Sequence, residues 1–388
     1  MMKKFILLLL ISVVFFGALP ALAVQTEPIY TIVPQGNVLQ NVSDRGIQPV
    51  GELSANPMIL AQSPTTGLPA AAGERYLPML VQISTPQDKE FRLAGAGDKA
   101  SWGTAHADLL YESLLNARGE TRFVALFSDS FAQNQPQSVG AVRSARQPIV
   151  LLQQEWQGGV VFGGCVRTDN PKSVRRMLIS NGVYGAGLAF DLYDHNTDEF
   201  KSRVHGLGAP NNMDIHLVGI RSLVPEGTVS TAAPFLFTDS SPYREGYDAA
   251  ATVSLDWGHQ SYISHFKYDE SLGQYLRFTG DQPSMMFASS KGLSAESKIQ
   301  MSFSNVIIQR MEYEPMNASG FLVAIPGMGM GNADFFIGGH YIAGYWVRES
   351  ESSPTIFLDD QGNQIYLNRG KTYVAHFPND ALLTYQGQ

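Results

Sequence analysis

AHADLLYESLLNARGETRFVALFS, residues 105–128, contains the two patterns that decide the fold of the first half of the chain. Thr104 can cap a helix over residues 105–118, and Gly119 can end that helix in a left-handed conformation. Residues 121–128 form a short apolar run that is typical of a strand. The stretch therefore predicts a helix followed by a strand.

The flanking segments continue this alternation. Two further strands are predicted, YLPMLVQIS (76–84) and GVVFGG (159–164). Three further helices are predicted, PIVLLQQEW (148–156), PKSVRRMLISN (171–181) and MDIHLVGIRSL (213–223). Pro148 suits the first position of its helix because the N–H that proline lacks is not needed there. Strands that alternate with helices predict an α/β domain over residues 75–240.

The second half of the chain has a different character. Residues 241–388 contain short runs with β-branched or aromatic alternation, separated by Gly and Asp turns. Two of the runs predict hairpins, one around residues 271–273 and one around residues 361–363. The predicted fold is thus an α/β N-terminal domain followed by a β-rich, mostly antiparallel C-terminal domain.

The first 23 residues have the pattern of a secretory signal peptide. Lys3 and Lys4 precede an apolar run that ends in a small-residue cleavage signal, so the mature chain is expected to begin near Val24. A retained anchor is the competing interpretation, but Gly17 and Pro20 interrupt the run, which is shorter than the roughly 20 residues of a spanning helix. We predict an extracytoplasmic protein, periplasmic or secreted, with no stable membrane span after cleavage. Residues 24–74 are rich in Pro, Gly and Gln and predict a flexible tether with room for short ordered pieces.

Charge and cysteine content exclude some classes of partner. Without residues 1–23 the chain has 25 basic and 35 acidic side chains, a formal charge of −10. Nucleic acid is excluded as a partner, because phosphate binding depends on clustered Lys and Arg. Cys165 is the single cysteine, so no internal disulfide can form. Its thiol could be buried, paired between molecules or reactive.

Five segments, in order, resemble one protein family. They are DLLYESLLNARGETRFVALFSD, SVGAVRSAR, APNNMDIHLVGI, NVIIQ and GHYIAGYWVRESESSPTIFLDDQGNQIYLNRGKTYV. Together they resemble the YerB-like exported bacterial proteins, which pair two domains of unknown function, both numbered DUF3048. The resemblance covers residues 75 to about 378. It implies an α/β domain followed by a β-rich one and implies no activity.

The chain also departs from the pattern of this family. Many relatives are lipoproteins whose signal ends at a cysteine, whereas Ala23 and Val24 stand here, so we expect no lipid anchor. Relatives tend to carry histidines where this chain has Phe162 or Gly163 and Asn211. Catalysis by such histidines is therefore not expected here.

The arginines of SVGAVRSAR (138–146) are the main candidate site, and two interpretations stay open. On a helix over residues 105–118, Asp108 and Glu112 would share a face, and Arg143 or Arg146 could pair with Glu112. Alternatively, residues 140–146 lead into the helix that starts at Pro148. Arg143, Ser144 and Arg146 could then hold an anion together with the free N–H groups of that helix.

Other motifs give weaker signals. The acidic run DLYDHNTDEF (191–200) could bind Ca²⁺, but it lacks the spacing of a calcium loop, and a solvated loop fits better. The glycines of PGMGMGNADF (326–335) precede another predicted strand, so we expect a wide turn or a close backbone approach and no dinucleotide. The scattered histidines predict no zinc site. We predict no metal, no cofactor and no catalytic residue.

The sequence therefore predicts a binding or accessory module of the cell envelope for an anionic ligand such as a cell-wall component. The candidate ligand-binding residues are Arg143, Ser144, Arg146 and Glu112. The alternative is an envelope hydrolase or transferase with a cleft near these residues and Cys165, so the presence of an enzymatic activity stays open. The oligomeric state is not indicated.

Overall fold

Most of the regular structure of the chain is β strand. The computed structural model describes residues 29–32, 58–59, 63–69, 74–85, 101–128, 138–165, 173–230, 233, 235–259, 263–288, 290, 298–315, 322–325 and 328–387. Within them the α-helices are α1 (Gln147–Trp156), α2 (Val174–Ser180) and α3 (Leu217–Arg221). Two short 3-10 helices cover Thr104–His106 and His195–Phe200.

The strands fall into an N-terminal and a C-terminal series. The first comprises β1 (Ile29–Ile32), β2 (Met58–Ile59), β3 (Glu74–Arg75), β4 (Met79–Ser84), β5 (Leu109–Leu114), β6 (Thr121–Phe127), β7 (Val139–Gly140), β8 (Gly159–Phe162), β9 (Ala189–Asp191), β10 (Lys201–Arg203), β11 (Met213–Ile215) and β12 (Leu236–Thr238). The second comprises β13 (Thr252–Leu255), β14 (Ser264–Asp269), β15 (Gln274–Thr279), β16 (Gln282–Pro283), β17 (Met285–Phe287), β18 (Lys298–Gln300), β19 (Ser302–Phe303), β20 (Asn305–Pro315), β21 (Leu322–Ile325), β22 (Gly329–Ile337), β23 (His340–Arg348), β24 (Ile356–Asp359), β25 (Tyr366–Asn368), β26 (Thr372–Pro378) and β27 (Leu383–Gln386).

One sheet of eleven strands contains strands from both halves of the chain. Its order is β24-β23-β22-β20-β26-β5-β6-β4-β8-β9, with β21 pairing with β20. The halves meet where β5 pairs in parallel with β26, with Leu109 opposite Thr372. The predicted β-rich character is confirmed. A distinct α/β N-terminal domain is not, because both halves share this sheet and one hydrophobic core.

The helix predicted over residues 105–118 is wrong. Residues 109–114 form β5, and a turn at residues 115–120 leads into β6, its antiparallel neighbour. Every residue of β5 is buried, so its apolar run lacks the alternation of a half-exposed strand. Periodicity alone cannot distinguish such a run from a buried helix. The helix predicted over 213–223 is also partly wrong, because it begins as β11 and becomes helical at Leu217.

Other predicted elements are confirmed. The strands β4, β6 and β8 and the helices α1 and α2 lie where the patterns indicated. The hairpin around residues 271–273 joins β14 and β15. The chain turns at residues 360–363 as predicted, with one bridge between Leu358 and Gln364, but β25 then pairs with β12 instead of β24. Gly331 makes the expected close backbone approach, since a Cβ there would lie 2.4 Å from Nε1 of Trp346.

The two faces of the eleven-stranded sheet have different coverings. A second sheet, of seven strands in antiparallel pairs, packs on one face. Ring contacts join the two sheets, with centroids 4.8 Å apart both for Phe266 with Tyr373 and for Trp257 with Phe377. Helix α1 covers the other face, where Nε1 of Trp156 donates to the hydroxyl of Tyr111 at 3.0 Å. Successive residues of β5 therefore contact different layers, as the period of two of a strand requires.

A buried ion pair joins β5 to the second sheet. Nη2 of Arg277 lies 2.9 Å from Oε2 of Glu112, and both side chains have 0 % exposure. The same carboxylate accepts hydrogen bonds from the hydroxyls of Thr121, Ser264 and Tyr373 at 2.6, 3.2 and 2.7 Å. These donors compensate for the loss of water around the charge, because a buried carboxylate is tolerated only when it is paired and hydrogen-bonded.

Part of the predicted tether belongs to the folded body. Residues 63–69 pack against the core, where Thr65 Oγ1 lies 3.0 Å from the hydroxyl of Tyr76 and Gly370 N donates to Thr66 O at 2.8 Å. The strand β1 pairs with β27 at the edge of the second sheet. The tether prediction allowed for such ordered pieces. Residues 1–23, predicted to be a signal peptide, lie outside the described residues, and in the described part no helix is long and apolar enough to cross a membrane.

Replacing Arg277 with Met should lower the free energy of unfolding by about 3–5 kcal/mol, because Glu112 would keep a buried charge without its cation. Urea unfolding followed by tryptophan fluorescence measures this. Adding Glu112→Gln should recover part of the loss, since it removes the uncompensated charge. The exposed Arg244 provides the control: Arg244→Met should unfold as the unchanged protein does. Equal losses for Arg277→Met and Arg244→Met would show that the pair does not stabilise the fold.

A second prediction concerns acid stability. Nδ1 of His376 lies 3.1 Å from Ser113 Oγ, and burial, together with the positive charge of Arg348, lowers the pKa of His376 from 6.5 to about 3. Between these pH values the unfolded chain binds a proton that the folded protein does not, so stability falls as the pH falls. Between pH 6.5 and pH 4, His376 should lower the free energy of unfolding by about 3 kcal/mol, and His376→Gln should abolish this part of the loss. The exposed His205→Gln should leave the profile unchanged; identical profiles for both variants would contradict this assignment.

Candidate functional site

The predicted arginines lie on a loop that joins β7 to α1. The backbone N of Arg143 donates to Gln82 O at 2.9 Å, and that of Arg146 donates to Gln82 Oε1 at 3.1 Å. Gln82 is buried in β4, and its Nε2 donates to Phe123 O at 2.8 Å. Gln82 therefore holds both ends of the arginine segment, Arg143 through its backbone oxygen and Arg146 through its side chain. Two peptide bonds are cis, Gly140–Ala141 shortly before Arg143 and Ala209–Pro210 directly before Asn211.

The guanidinium of Arg143 contacts two neutral acceptors. Its Nη1 donates to Asn211 Oδ1 at 2.6 Å and to Ser84 Oγ at 3.2 Å. Ser84 ends β4, and Asn211 belongs to the APNNM segment before β11. These two acceptors fix the direction of the Arg143 guanidinium.

Arg146 lies at the N-terminal boundary of α1 and close to Arg143. Its Nη1 donates to the backbone oxygens of Ala145 and Ser144 at 2.9 and 3.3 Å. Burial and then the positive charge of Arg143 lower the pKa of Arg146, and the side chain of Cys165 acts in the opposite direction. Two like charges thus lie within electrostatic reach of each other. Both side chains, with that of Ser144, keep partial exposure to solvent.

A glycine loop after β8 forms the second wall of the site. Gly163 N donates to Arg143 O at 2.9 Å, Ser144 Oγ donates to Gly163 O at 3.1 Å, and Ala145 N donates to Gly164 O at 2.9 Å. Gly164 has a positive φ of 75°, which favours glycine. This loop follows β8, which pairs in parallel with β4 and β9. Carboxyl ends of parallel strands are the usual place for ligand sites in such sheets.

The structure separates Glu112 from the arginine segment. Its carboxylate has 0 % exposure and four hydrogen bonds, all to Thr121, Ser264, Arg277 and Tyr373. The suggested pairing of Glu112 with Arg143 or Arg146 is therefore wrong, and Arg277 is its cation. Asp108 accepts instead from the N and Oγ of Ser128, at 2.5 and 3.0 Å. We leave Glu112 out of the proposed site.

Two other sequence candidates have defined positions. Cys165 follows β8, is partly buried and packs against the core. Asp191 begins the acidic run and is buried, and its Oδ1 accepts from Gly164 N at 2.9 Å and from Tyr193 N at 3.1 Å. Among the described residues, no group of three or more His, Cys, Asp and Glu side chains is arranged to hold a metal ion.

Sequence reasoning missed three residues that build the site. Gln82 holds the arginine loop, Asn211 orients Arg143, and Tyr193 lies on Gly164. The signal for Asn211 was its place in a segment that matched the family pattern. Gln82 is a polar residue between Val81 and Ile83, and a polar residue inside a buried strand indicates a specific hydrogen-bonding role.

Two family descriptions match the chain in the order that the resemblance implied. Residues 95–191 match "Protein of unknown function (DUF3048) N-terminal domain", and residues 253–374 match "Protein of unknown function (DUF3048) C-terminal domain". The chain belongs to the DUF3048 family. Arg143, Ser144 and Arg146 lie within the N-terminal DUF3048 match, and Arg277 lies within the C-terminal one.

A solved structure of a DUF3048 relative has the same fold. The crystal structure of YerB protein from Bacillus subtilis is similar to this chain with a TM-score of 0.61 and 18 % sequence identity. The match covers 83 % of this chain and 99 % of that one. At this identity the similarity concerns the fold alone. No curated protein matches the chain.

Proposed function

We propose that this DUF3048 protein is a binding module whose ligand carries a negative charge held between Arg143 and Arg146. The neighbouring guanidinium groups are the observation that supports this. Each guanidinium makes the charged form of the other less favourable. The pKa of Arg146 is lowered first by burial and then by the charge of Arg143. An anion between them would be attracted by both groups, and guanidinium groups bind carboxylate and phosphate in two-point contacts.

The surroundings of the pair also favour an anion. Arg146 immediately precedes α1, a helix of ten residues with Pro148 in its first turn. The helix dipole favours negative charge at that end. The hydroxyl of Ser144 donates to Gly163 O, so its oxygen can still accept a hydrogen bond from a ligand. The site therefore offers cations, and a hydroxyl beside them.

We further propose that the module acts outside the cytoplasm, in the cell envelope or secreted. The signal-peptide pattern of residues 1–23 supports this, and a cell-wall component with a carboxylate or phosphate is a fitting ligand class. The hydrolase or transferase alternative required Glu112 to line an open cleft, and no contact of Glu112 favours that alternative.

The N-terminus of the exported protein tests the location. When the full chain is expressed in a bacterium, the extracytoplasmic fraction should contain a protein that begins at Val24, because the small residues Ala21 and Ala23 mark the cleavage signal. N-terminal sequencing identifies the first residue, and replacing Ala21 and Ala23 with bulky Leu should block processing. Recovery of the uncleaved chain from the cytoplasm would contradict the proposal.

Inorganic phosphate tests the anion site. At constant ionic strength, phosphate should raise the thermal unfolding midpoint of the full mature chain, because a ligand that binds only the folded state stabilises it. Arg146→Gln should weaken phosphate binding about tenfold or more, since a charged hydrogen bond contributes about 1.5–3 kcal/mol.

Arg244 provides the matched control, since it is an exposed arginine in the C-terminal half. Arg244→Gln should bind phosphate as the unchanged protein does. The proposal fails if Arg146→Gln loses stability but keeps phosphate affinity, because Arg146 would then serve only to brace the fold. It also fails if Arg244→Gln and Arg146→Gln weaken binding equally, which would indicate general charge attraction.

A further inference from the structure

An exposed tyrosine packs on the glycine loop that supports the arginine segment. Tyr193 has 59 % exposure, the largest value among the exposed large hydrophobic side chains of the described residues. Its backbone N is held by Asp191 Oδ1 at 3.1 Å, and the same oxygen accepts from Gly164 N at 2.9 Å. One buried carboxylate therefore fixes both the start of the tyrosine loop and the glycine loop.

The ring of Tyr193 lies over Gly164. A Cβ on Gly164 would be 2.9 Å from Cδ2 and Cε2 of the ring, too close for any residue but glycine. Gly164 O in turn accepts from Ala145 N, the residue between Ser144 and Arg146. The inner face of the ring thus rests on the same loop that supports the arginine segment, while much of the ring faces solvent.

Asn211 adds a neutral donor to this group. Guanidinium groups only donate, so Asn211 must present its Oδ1 to Arg143, as the 2.6 Å contact requires. Its amide Nδ2 therefore points away from Arg143 and can donate to a neutral oxygen of a ligand. The site combines a pair of cations, an amide donor and an exposed aromatic face.

This combination fits a sugar better than a simple anion. The C–H face of a pyranose ring packs on an aromatic ring, its hydroxyl and amide oxygens accept hydrogen bonds, and an acidic substituent binds guanidinium. This inference rests on the proposed anion site. We propose that the ligand is an acidic sugar, with its ring on Tyr193 and its acid at Arg143 and Arg146. A nucleotide also combines a ring with an anion, but the proposed location outside the cytoplasm favours an envelope glycan.

Two sugars that differ by one acidic group test this. N-acetylmuramic acid has a pyranose ring with a carboxylate, and N-acetylglucosamine has the same ring without it. Calorimetry on the mature full-length chain should show binding of the first, and at least about tenfold weaker binding of the second, because charged hydrogen bonds are lost. Tyr193→Ala should weaken binding of the acidic sugar about threefold to tenfold, because the stacking surface is removed.

Controls separate stacking from other roles of the ring. Tyr193→Phe should keep the affinity for N-acetylmuramic acid, because it keeps the ring. Tyr193→Ala should keep phosphate binding, because the arginine pair is unchanged. Tyr366 is 46 % exposed in the C-terminal half, and Tyr366→Ala should change neither measurement.

The outcomes distinguish this inference from the proposed anion site. If Tyr193→Ala leaves the affinity for N-acetylmuramic acid unchanged while Arg146→Gln removes it, the stacking assignment is wrong and the anion site stands. Tighter binding of adenosine monophosphate than of N-acetylmuramic acid would overturn the sugar assignment. If the protein binds neither phosphate nor the acidic sugar, both proposals are overturned.

Discussion

The buried ion pair between Glu112 and Arg277 is the interaction on which the rest of the fold depends. Its partners are 165 residues apart in the chain, and each lies on a central strand of a different sheet. Isolated charges are costly to bury, so the two sheets must meet in the one alignment that brings the guanidinium and the hydroxyl donors to the carboxylate. Apolar packing between the sheets could tolerate several alignments, whereas this polar cluster selects one.

The same strand that carries Glu112 also organises the other face of the sheet. Tyr111 contacts α1 through Trp156, and α1 begins directly after Arg146. A side-chain period of two places adjacent residues of β5 in opposite layers. The strand therefore connects the second sheet to α1, the helix that begins at the candidate site. The geometry of the arginine segment therefore depends on the packing of the whole body, including strands from the far end of the chain.

The sequence predicted local features well and long-range ones poorly. Proline at the start of α1, alternation in β14 and β15, and the turn between those strands are signals that neighbouring residues carry, and these elements are confirmed. β5 is buried on both faces, so its pattern was read with the period of a helix. Its partner β26 lies near the other end of the chain, and nothing local indicates that pairing. Two separate domains were expected because no local signal indicates that β5 pairs with β26.

The candidate site shows the same division. Arg143, Ser144 and Arg146 were predicted from one short segment, and the structure holds them at the end of the parallel strands. The cation of Glu112 could not be identified, because Arg277 comes from the distant half. Asn211 and Tyr193 also escaped, since their roles depend on three loops meeting, which a linear pattern of residue types does not encode.

The parallel pairing of β5 with β26 has a consequence for how the protein is made. Ser113 and His376, which contact each other across it, are 263 residues apart, so a ribosome finishes β5 long before its neighbour exists. Until then one edge of a strand that is fully buried in the native fold has no partner, a state that invites association with other chains. Contacts this distant in sequence also slow folding. Native structure must therefore form late, after nearly all of the polypeptide is available, and the nascent chain needs protection until that moment.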